Sequence, residues 1–313
     1  MKTEFAACGL CPRNCGVDRT AGKRGRCHEA DTVRIARASL HMWEEPCLSG
    51  ERGSGTVFFT GCPLGCVYCQ NYNIADGRNG TELTQEELTE VFLKLQDLGA
   101  HNLNLVTPTH FVPAIVPALE RAKAQGLSIP VVYNTGTYET VDTLRMLEGL
   151  VDIWLPDLKY VSPELSARYS NAPDYFEVAS NALAEMVRQT KAAQRNSTWV
   201  PDFCAFDADG MMTRGVLVRH LILPGQTEDS KAVLRYLYET CGDDIWVSIM
   251  SQFTPVRPVP GLERPLSQEE YDEVVDFAAE LGMTNAYVQE GAAASESFIP
   301  DFEHFDLRAF LQN

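Results

Sequence analysis

The chain has 313 residues, 45% of them hydrophobic, and can bury a large core in one domain or in one domain with an appendage. Its 26 Lys and Arg residues stand against 43 Asp and Glu residues, a net charge of −17 that argues against nucleic acid as a substrate. No apolar run approaches the roughly 18 to 20 residues of a membrane span, and the first residues lack the apolar core of a signal peptide. We therefore expect a cytoplasmic protein that does not associate with membranes.

Cysteine is the most informative residue type in this sequence. Seven of the ten cysteines fall into two tight clusters, and Cys47, Cys204 and Cys241 stand alone. Disulfides are typical of secreted chains, whereas cysteines at metal-ligand spacing in a cytoplasmic chain indicate reduced thiols. We interpret both clusters as metal sites and Cys47 as a buried structural thiol.

The first cluster contains four cysteines at x2, x3 and x11 spacing, namely Cys8, Cys11, Cys15 and Cys27. Four thiolates complete a tetrahedral site, and the basic stretch 19–26 would offset their negative charge. Zinc and a second iron–sulfur cluster are both compatible with these ligands, and a disulfide-linked knot is the alternative without metal. We assign residues 1–50 to this metal-binding segment and a connector with a short strand, and residues 51–313 to a core with a carboxy-terminal extension.

The second cluster follows the apolar run 57–60 and has the spacing C-x3-C-x2-C, with Cys62, Cys66 and Cys69 as its members. Three thiolates in a short loop after a buried strand can hold three irons of an iron–sulfur cube. The fourth iron is then open to a substrate or cosubstrate. Three buried cysteines acting only as small hydrophobic residues would not require this spacing.

After this loop, helical and strand-like patterns alternate along the chain. Helices are predicted at 84–98, 111–125, 139–149, 175–193, 228–240 and 267–281. Strands are predicted at 57–60, 102–107, 130–134, 151–157, 216–223, 245–250 and 285–289. Capping boxes begin at Thr84 and Ser267, and Gly99, Gly126 and Gly282 follow helix ends. The pattern predicts an α/β fold in which parallel strands form an open or partial barrel.

Polar residues lie on or directly after five successive predicted strands, including Thr107, Asn134, Asp157, Arg219 and Gln252. The carboxyl ends of parallel strands meet at one end of a barrel, which is where such folds place their chemistry. An isolated polar residue at a strand end is usually a loop cap. Five in succession, beside a cysteine loop on the first strand, favour a cofactor pocket. Met250, Phe253 and Trp154 are candidates to line it, with ordinary core packing as the alternative.

The motif Cys62-Pro-Leu-Gly-Cys-Val-Tyr-Cys69 resembles that of the radical S-adenosylmethionine (SAM) superfamily. Across nearly its whole length the chain looks like the branch related to pyruvate formate-lyase activating enzyme whose members carry an extra amino-terminal cysteine motif. The sequence segments on which this resemblance rests are 11–17, 61–72, 99–110 and 218–225. The resemblance implies a partial (β/α)6 radical SAM barrel with a [4Fe–4S] cluster and SAM as cofactors.

The resemblance also implies roles for residues at the strand ends. Asp157 and Lys159 match an Asp-x-Lys element with a proposed SAM-binding role, which requires that the strand end near Pro156 so that both side chains reach the same ligand. Asn134 would face the ribose of SAM and Arg219 its carboxylate. The alternative for Asp157 and Lys159 is a local salt bridge.

One departure from the family pattern follows the second strand. Where the activating enzymes usually have Gly-Gly-Glu to hold the amine of SAM, this chain has Thr107-Pro108-Thr109-His110. The hydroxyl groups of Thr107 and Thr109, the backbone carbonyls, or a neutral His110 would have to accept from that amine instead.

The expected function is reductive cleavage of SAM to a 5′-deoxyadenosyl radical that abstracts a hydrogen atom, with an electron donor such as flavodoxin or ferredoxin. The target is either a glycyl-radical protein or a small molecule or peptide. A non-catalytic iron–sulfur protein for electron transfer or redox sensing is the alternative from another class. The segment 196–214, with a turn at 207–210, is interpreted as a surface hairpin, with a lid or docking element as the alternative.

Overall fold

The structure is a computed structural model that describes residues 3–195, 203–289 and 300–312. Seven strands in this part of the chain run parallel to one another: β2 Ser54–Phe59, β4 Leu103–Val106, β5 Val131–Thr135, β6 Ile153–Pro156, β8 Met212–Leu221, β9 Trp246–Met250 and β10 Ala286–Val288. Three further strands pair antiparallel: β1 Arg34–His41, β3 Thr81–Glu82 and β7 Ala205–Phe206. All seven predicted strands are therefore confirmed as parallel members of one sheet.

Helices connect the parallel strands in the predicted alternation. The longer ones are α4 Gln85–Asp97, α5 Val112–Ala124, α6 Val141–Arg145, α7 Pro163–Ser170, α8 Tyr175–Arg195, α9 Thr227–Cys241 and α10 Gln268–Leu281. Short helices are α1 Thr3–Ala6, α2 Pro46–Ser49, α3 Tyr72–Ala75 and α11 Leu307–Gln312, and 3₁₀ turns occur at Arg19–Ala21, Thr109–Phe111 and Gly242–Asp244. Each of the strands β2, β4, β5, β6, β8 and β9 is followed by at least one helix, which makes six β/α units.

The sheet has the spatial order β10-β9-β8-β6-β5-β4-β2-β1-β3, and β7 pairs with β8. Its two end strands, β10 and β3, do not pair with each other within the described residues, so the barrel is open. The predicted α/β class with a largely parallel sheet is confirmed. The connector strand β1 is longer than expected and extends the sheet beyond β2 as an antiparallel edge.

Helix ends follow the local signals in the sequence. Thr84 and Ser267 form complete capping boxes with Glu87 and Glu270, and Gly282 ends α10 in the left-handed conformation. The predicted helix 139–149 is shorter, because α6 ends at Arg145 and turns follow it. Helix α7 was not predicted, although Ser162 caps it and Pro163 occupies its first turn.

The core lies between the sheet and the helices that cover it. All six residues of β2 and all four of β4 are buried, and Val91, Leu95 and Ile115 from α4 and α5 are fully enclosed against them. Burying each such side chain contributes about 1.5 to 3 kcal/mol. A sheet edge anchored in this way gives the loops at its carboxyl end a rigid base.

The hairpin predicted at 207–210 is confirmed for the described residues. Asp207 Oδ1 accepts hydrogen bonds from the backbone N–H groups of Asp209 and Met211, and the turn joins β7 to β8. Residues 196–202 of the same predicted segment lie outside the described residues. No helix in the described ranges combines the length and apolar character needed to cross a membrane.

Candidate functional site

The loop that carries the second cysteine cluster leaves the carboxyl end of β2 and ends at α3. Cys62, Cys66 and Cys69 are free thiols that all line one cavity, which we call the cluster cavity. Burial raises the pKa of the Cys69 thiol to about 12 and also raises that of Cys62, and the nearby Cys66 adds to both shifts. A bound cationic centre would stabilise the thiolates that this crowding disfavours. The donor set therefore fits the cluster that its spacing indicates.

The aromatic residue before the last cysteine anchors this loop in the core. Tyr68 is buried and packs edge-on against Tyr169 and Phe253, and its hydroxyl oxygen accepts from the hydroxyl of Tyr160 at 2.7 Å. Backbone groups add to this anchor, since the N–H of Val67 donates to the carbonyl of Tyr169 at 2.8 Å. An aromatic ring at this position therefore fixes the direction of the adjacent thiols.

The strand ends bring a charged network to the same cavity. Asp157 follows β6 and accepts from Lys159 Nζ at 2.7 Å through Oδ2 and from Arg219 Nε at 2.9 Å through Oδ1. Arg219 Nη2 donates to Asn134 Oδ1 at 2.7 Å. Strand β6 ends at Pro156, so the side chains of Asp157 and Lys159 do not alternate across the sheet and both reach the cluster cavity. A ligand shared by the two residues requires this arrangement.

This network is largely shielded from solvent. The side chains of Asp157, Lys159 and Arg219 are 20%, 16% and 16% exposed. Burial alone would raise the pKa of Asp157, but Arg219 and Lys159 outweigh it and hold that pKa below its ordinary value. The carboxylate is therefore charged at neutral pH, with both cations fixed beside the cysteine loop.

The structure brings six of the seven residues predicted to contact SAM to the cluster cavity. They are Thr107, Thr109, Asn134, Asp157, Lys159 and Arg219. The seventh, His110, is not among the residues that line it. Its ring is buried, Nε2 donates to the carbonyl of Thr60 at 2.7 Å, and burial lowers its pKa to about 3. His110 is thus a neutral histidine that ties the start of the cysteine loop to the next strand.

Thr109 is partly committed to a residue that the sequence analysis did not select. Its hydroxyl donates to Glu139 Oε1 at 2.7 Å, and the hydroxyl of Thr135 donates to the same oxygen at 2.5 Å. Glu139 is buried, and its pKa is raised by that burial. A glutamate at the start of a predicted helix is normally a surface residue, so no local signal marked it.

A larger opening, which we call the central cavity, adjoins the cluster cavity and shares Cys66, Cys69, Asn134, Asp157, Lys159 and Arg219 with it. Met250 and Phe253 line this opening, as expected. Trp154 does not line it and packs against Tyr133 in the core, 5.4 Å between ring centroids. Of the three apolar candidates, Trp154 therefore has its alternative role of ordinary core packing.

Two acidic residues of the central region were also missed by sequence reasoning. Glu44 lines the central cavity and accepts from Arg219 Nη1 at 3.2 Å and from Asn104 Nδ2 at 3.1 Å. Glu45 lies beside it and is buried. In the sequence, an acidic pair followed by Pro46 comes soon after a strand. This pattern is typical of an ordinary turn, so it did not indicate a binding site.

Of the four amino-terminal cysteines, Cys15 and Cys27 approach the same glycine, Gly25. Cys8, Cys11 and Cys27 are buried and Cys15 is exposed. The sulfurs of Cys15 and Cys27 lie 3.0 and 3.7 Å from the point where a Cβ on Gly25 would stand. In the described ranges, however, no three His, Cys, Asp or Glu side chains are close enough together to hold a single metal ion. This holds for the amino-terminal cysteines and for the loop cysteines alike.

The amino-terminal segment also contacts the cluster loop directly. The guanidinium of Arg13 donates to the carbonyls of Pro63 and Leu64, at 2.9 and 3.1 Å, between two of the loop cysteines. The carbonyl of Cys27 packs against Gly61, the residue before Cys62. The two cysteine clusters are therefore joined by short contacts through protein.

In the comparison with protein families, residues 56–192 match the model of the Radical SAM superfamily. This match contains the cluster loop and the strands β4 to β6, and it begins after the amino-terminal cysteines. An uncharacterized protein of Methanocaldococcus jannaschii is 26% identical in an alignment of 298 residues that covers 91% of this chain and 78% of that protein.

Solved structures that match this chain include SuiB of Streptococcus suis bound to S-adenosylmethionine, at 12% identity and a TM-score of 0.47, covering 74% of this chain and 49% of SuiB. Methylornithine synthase is 18% identical with a TM-score of 0.49, over 72% of this chain and 60% of that enzyme. A domain of pyruvate-formate lyase-activating enzyme from Bacteroides vulgatus is 13% identical with a TM-score of 0.37, over 57% of this chain and 91% of that domain. This chain spans about half of the length of SuiB.

Proposed function

We propose that this protein is an enzyme that cleaves SAM reductively at a [4Fe–4S] cluster held by Cys62, Cys66 and Cys69. The resulting 5′-deoxyadenosyl radical would abstract a hydrogen atom from a substrate. One observation carries the proposal: all three thiols line the same cavity as the largely shielded ion pair of Asp157 and Lys159. An iron–sulfur protein that only transfers electrons has no need of this charged network at the strand ends.

Different residues of the cluster cavity would bind different groups of SAM. Lys159 and Arg219 supply positive charge for its carboxylate, Asp157 accepts hydrogen bonds, and Asn134 offers an amide toward the ribose. When bound, the cluster supplies one electron to the sulfonium, whose carbon–sulfur bond breaks to give methionine and the radical. The hydrogen atom taken from the substrate then completes 5′-deoxyadenosine.

Apolar residues line part of the central cavity, where they would help to keep water away from the radical. Phe253 is 2% exposed and Met250 is 9% exposed, and both line the cavity into which the radical would be released. A carbon radical reacts with any nearby C–H bond, so a restricted cavity is needed to select one hydrogen atom. We propose that the substrate enters through the central cavity.

The reaction has two candidate targets, a glycyl-radical protein and a small molecule or peptide. Both require the same cleavage of SAM, and both require a one-electron donor such as flavodoxin or ferredoxin, which we propose as the redox partner in the cytoplasm. A glycyl-radical enzyme encoded beside this protein would favour activation as the biological role.

Turnover of SAM tests the proposal directly. Protein reconstituted with iron and sulfide under anaerobic conditions and given excess reductant should convert SAM to 5′-deoxyadenosine and methionine. Cys66→Ala should abolish this conversion, whereas Cys241→Ala, which changes a cysteine outside both clusters, should retain it. Turnover in the Cys66→Ala variant would overturn the assignment of the cluster.

We further propose that Cys8, Cys11, Cys15 and Cys27 hold a second metal centre, either zinc or an iron–sulfur cluster. Support comes from their spacing and from the approach of Cys15 and Cys27 to one point beside Gly25. Metal analysis of a variant with alanine at all three loop cysteines should find one zinc or about four irons per chain. Finding neither in a folded variant would contradict this assignment.

A further inference from the structure

A third cavity, which we call the outer cavity, is not used by the proposed cleavage of SAM. It shares Trp43, Glu44 and Arg219 with the central cavity and continues past them to Glu45 and Tyr287. Because the same residues line both cavities, the cavities adjoin, and a substrate long enough to span them would have one end in each. The outer cavity is therefore positioned to hold one end of a substrate whose reacting carbon lies near SAM.

The carboxylate of Glu45 marks the outer cavity as a binding site. Glu45 is 7% exposed and lines the cavity, and the hydroxyl of Ser248 hydrogen-bonds to it. Its Oε2 atom has no hydrogen-bond partner in the described part of the chain. A buried carboxylate oxygen without a donor is unfavourable, and a ligand that brings N–H donors removes that cost.

The charges around Glu45 leave it without a dedicated cation. Glu44 lies next to it, and the cation of the described chain that faces both is Arg219, whose guanidinium is already bonded to Asp157, Glu44 and Asn134. Lys159 pairs with Asp157. When all three are deprotonated, the carboxylates of Asp157, Glu44 and Glu45 therefore share two cations.

The remaining groups that face Glu45 do not change this balance. Cys47, on the following helix, and Tyr287, on β10, both interact with it electrostatically, and burial raises the pKa of Cys47 to about 11, so the thiol is neutral at pH 7.

Aromatic and thioether side chains stand at the entrance. Trp43 is 57% exposed and Met42 is 43% exposed, and both line the outer cavity. An indole ring beside carboxylates is an arrangement that binds organic cations, because the ring face attracts positive charge and the carboxylates pair with it. An anionic ligand would instead meet Glu44 and Glu45.

We infer that the outer cavity binds a positively charged group of the substrate, a protonated amine or a guanidinium, through Glu45 and Glu44. The identification of this ligand as the substrate rests on the proposed function. The binding of the cation itself does not.

The test uses n-butylguanidinium as the probe and n-butylurea as its uncharged analogue of the same shape. Both are titrated by calorimetry into the cluster-reconstituted protein, with and without SAM, under anaerobic conditions without reductant, so that no turnover occurs. We expect n-butylguanidinium to bind at least about tenfold more tightly than n-butylurea. Glu45→Gln should weaken binding of the cation by at least about tenfold and leave the urea unchanged. Glu51→Gln, an exposed position outside the cavity, is the matched control and should have no effect.

The pH dependence separates a binding role from a structural one. Burial raises the pKa of Glu45 to about 7, with Glu44 adding to the shift and Arg219 opposing it. Only the deprotonated carboxylate pairs with a cation, so affinity for n-butylguanidinium should rise as the pH increases from 6 to 8, and Glu45→Gln should flatten that rise.

Two results would overturn the inference: equal affinity for the two probes, or an unchanged affinity for the cation in Glu45→Gln. Should that variant fail to fold, the comparison of the two probes on the unaltered protein still decides. Cleavage of SAM without binding of the cation would overturn this inference alone. Binding of the cation without cleavage of SAM would overturn the proposed function alone.

Discussion

A single arginine organises the charged residues at the carboxyl ends of the strands. Arg219 lies on β8 and pairs across the sheet with Asp157, while its other nitrogens reach Asn134 and Glu44. Burying a guanidinium is costly unless its N–H groups find acceptors, and here three acceptors from three different segments surround it. The position of each acceptor is therefore tied to that of the others.

The first prediction concerns Asp157, which holds both cations of the cluster cavity. Asp157→Ala should weaken binding of SAM by at least about tenfold, because a buried charge-assisted contact contributes about 1.5 to 3 kcal/mol. Equilibrium dialysis of the reconstituted variant measures this affinity, and iron analysis verifies that the cluster is intact.

The control for this prediction is an aspartate that pairs with an arginine at the protein surface. Asp142 is 91% exposed and pairs with Arg145 at 3.4 Å. Exposed pairs of this kind contribute only about 0 to 1 kcal/mol to stability, and Asp142→Ala should leave the affinity for SAM unchanged. Equal affinities in the two variants would remove Asp157 from the binding site.

The second prediction concerns His220, a buried histidine next to Arg219 on β8. Its Nδ1–H donates to the carbonyl of Leu158 at 2.7 Å, and burial lowers its pKa to about 4, so it is neutral in the folded protein. The unfolded chain binds a proton near pH 6.5, so acid favours unfolding. Between pH 7 and pH 5 this histidine should reduce the free energy of unfolding by about 2 kcal/mol.

Urea denaturation at pH 7 and pH 5 measures this effect. His220→Asn should lose stability overall but show a weaker dependence on pH than the unaltered protein. His304 is exposed and its pKa is raised by Asp301, so His304→Asn should change the pH dependence little and in the opposite direction. An identical pH dependence in His220→Asn would show that this histidine does not titrate on unfolding.

At the scale of elements, the cluster loop is held from both sides by arginines. Arg13 donates to two carbonyls between Cys62 and Cys66, and Arg257 donates to the carbonyls of Val67 and Cys66 at 2.6 and 3.3 Å. These contacts come from positions far apart in the sequence. The loop is therefore fixed by the fold around it and not by its own regular structure.

The third prediction concerns the glycine at the start of this loop. Gly61 has a φ of +76°, and a Cβ there would stand 2.6 Å from Glu29 Cγ and closer still to the carbonyl oxygen of Cys27. Gly61→Ala should therefore displace the loop, lower the melting temperature and reduce the iron bound per chain after reconstitution.

Gly99→Ala provides a matched control for this substitution. Gly99 has a φ of +86° and no atom within 4 Å of its Cβ position, so alanine there adds only the backbone strain of roughly 1 to 2 kcal/mol. We expect Gly99→Ala to lower the melting temperature modestly and to keep its full iron content. If both variants behave alike, the contact between Gly61 and the amino-terminal segment does not matter for the cluster loop.

At the scale of the whole molecule, the excess of acidic residues affects stability as well as the choice of partners. With a net charge of −17, the acidic side chains repel one another, and this repulsion is stronger in the folded state because the charges lie closer together. Added salt screens it. The fourth prediction is that raising NaCl from about 20 to about 200 mM increases the melting temperature by about 2 to 4 °C, which corresponds to roughly 1 kcal/mol in a chain of this size.

Replacement of exposed acidic residues should imitate the added salt. Glu239 and Glu280 lie on exposed helix surfaces, and a variant with Lys at both positions should melt at a higher temperature in 20 mM NaCl and gain less from added salt. A melting temperature that does not depend on salt in either protein would contradict this view of the surface charge.

Local patterns in the sequence were sufficient for the order of the seven parallel strands and for the cysteine loop. The seven parallel strands follow from apolar runs, the capping boxes at Thr84 and Ser267 from residues three positions apart, and the loop thiols from their spacing. Such features depend on residues within one helical turn or one strand, so they can be predicted from the local sequence alone.

Other features depended on contacts between distant segments, and only the tertiary structure revealed them. Glu44 and Glu45 look like a turn in the sequence, yet the segment after β1 brings Glu44 into contact with Arg219, 175 residues away along the chain. Glu139 looks like a surface residue and is buried among threonine hydroxyls, while His110 turns toward Thr60 and not toward the cluster cavity. Burial and pairing across a sheet are set by which strands become neighbours, and no short stretch of sequence contains that information.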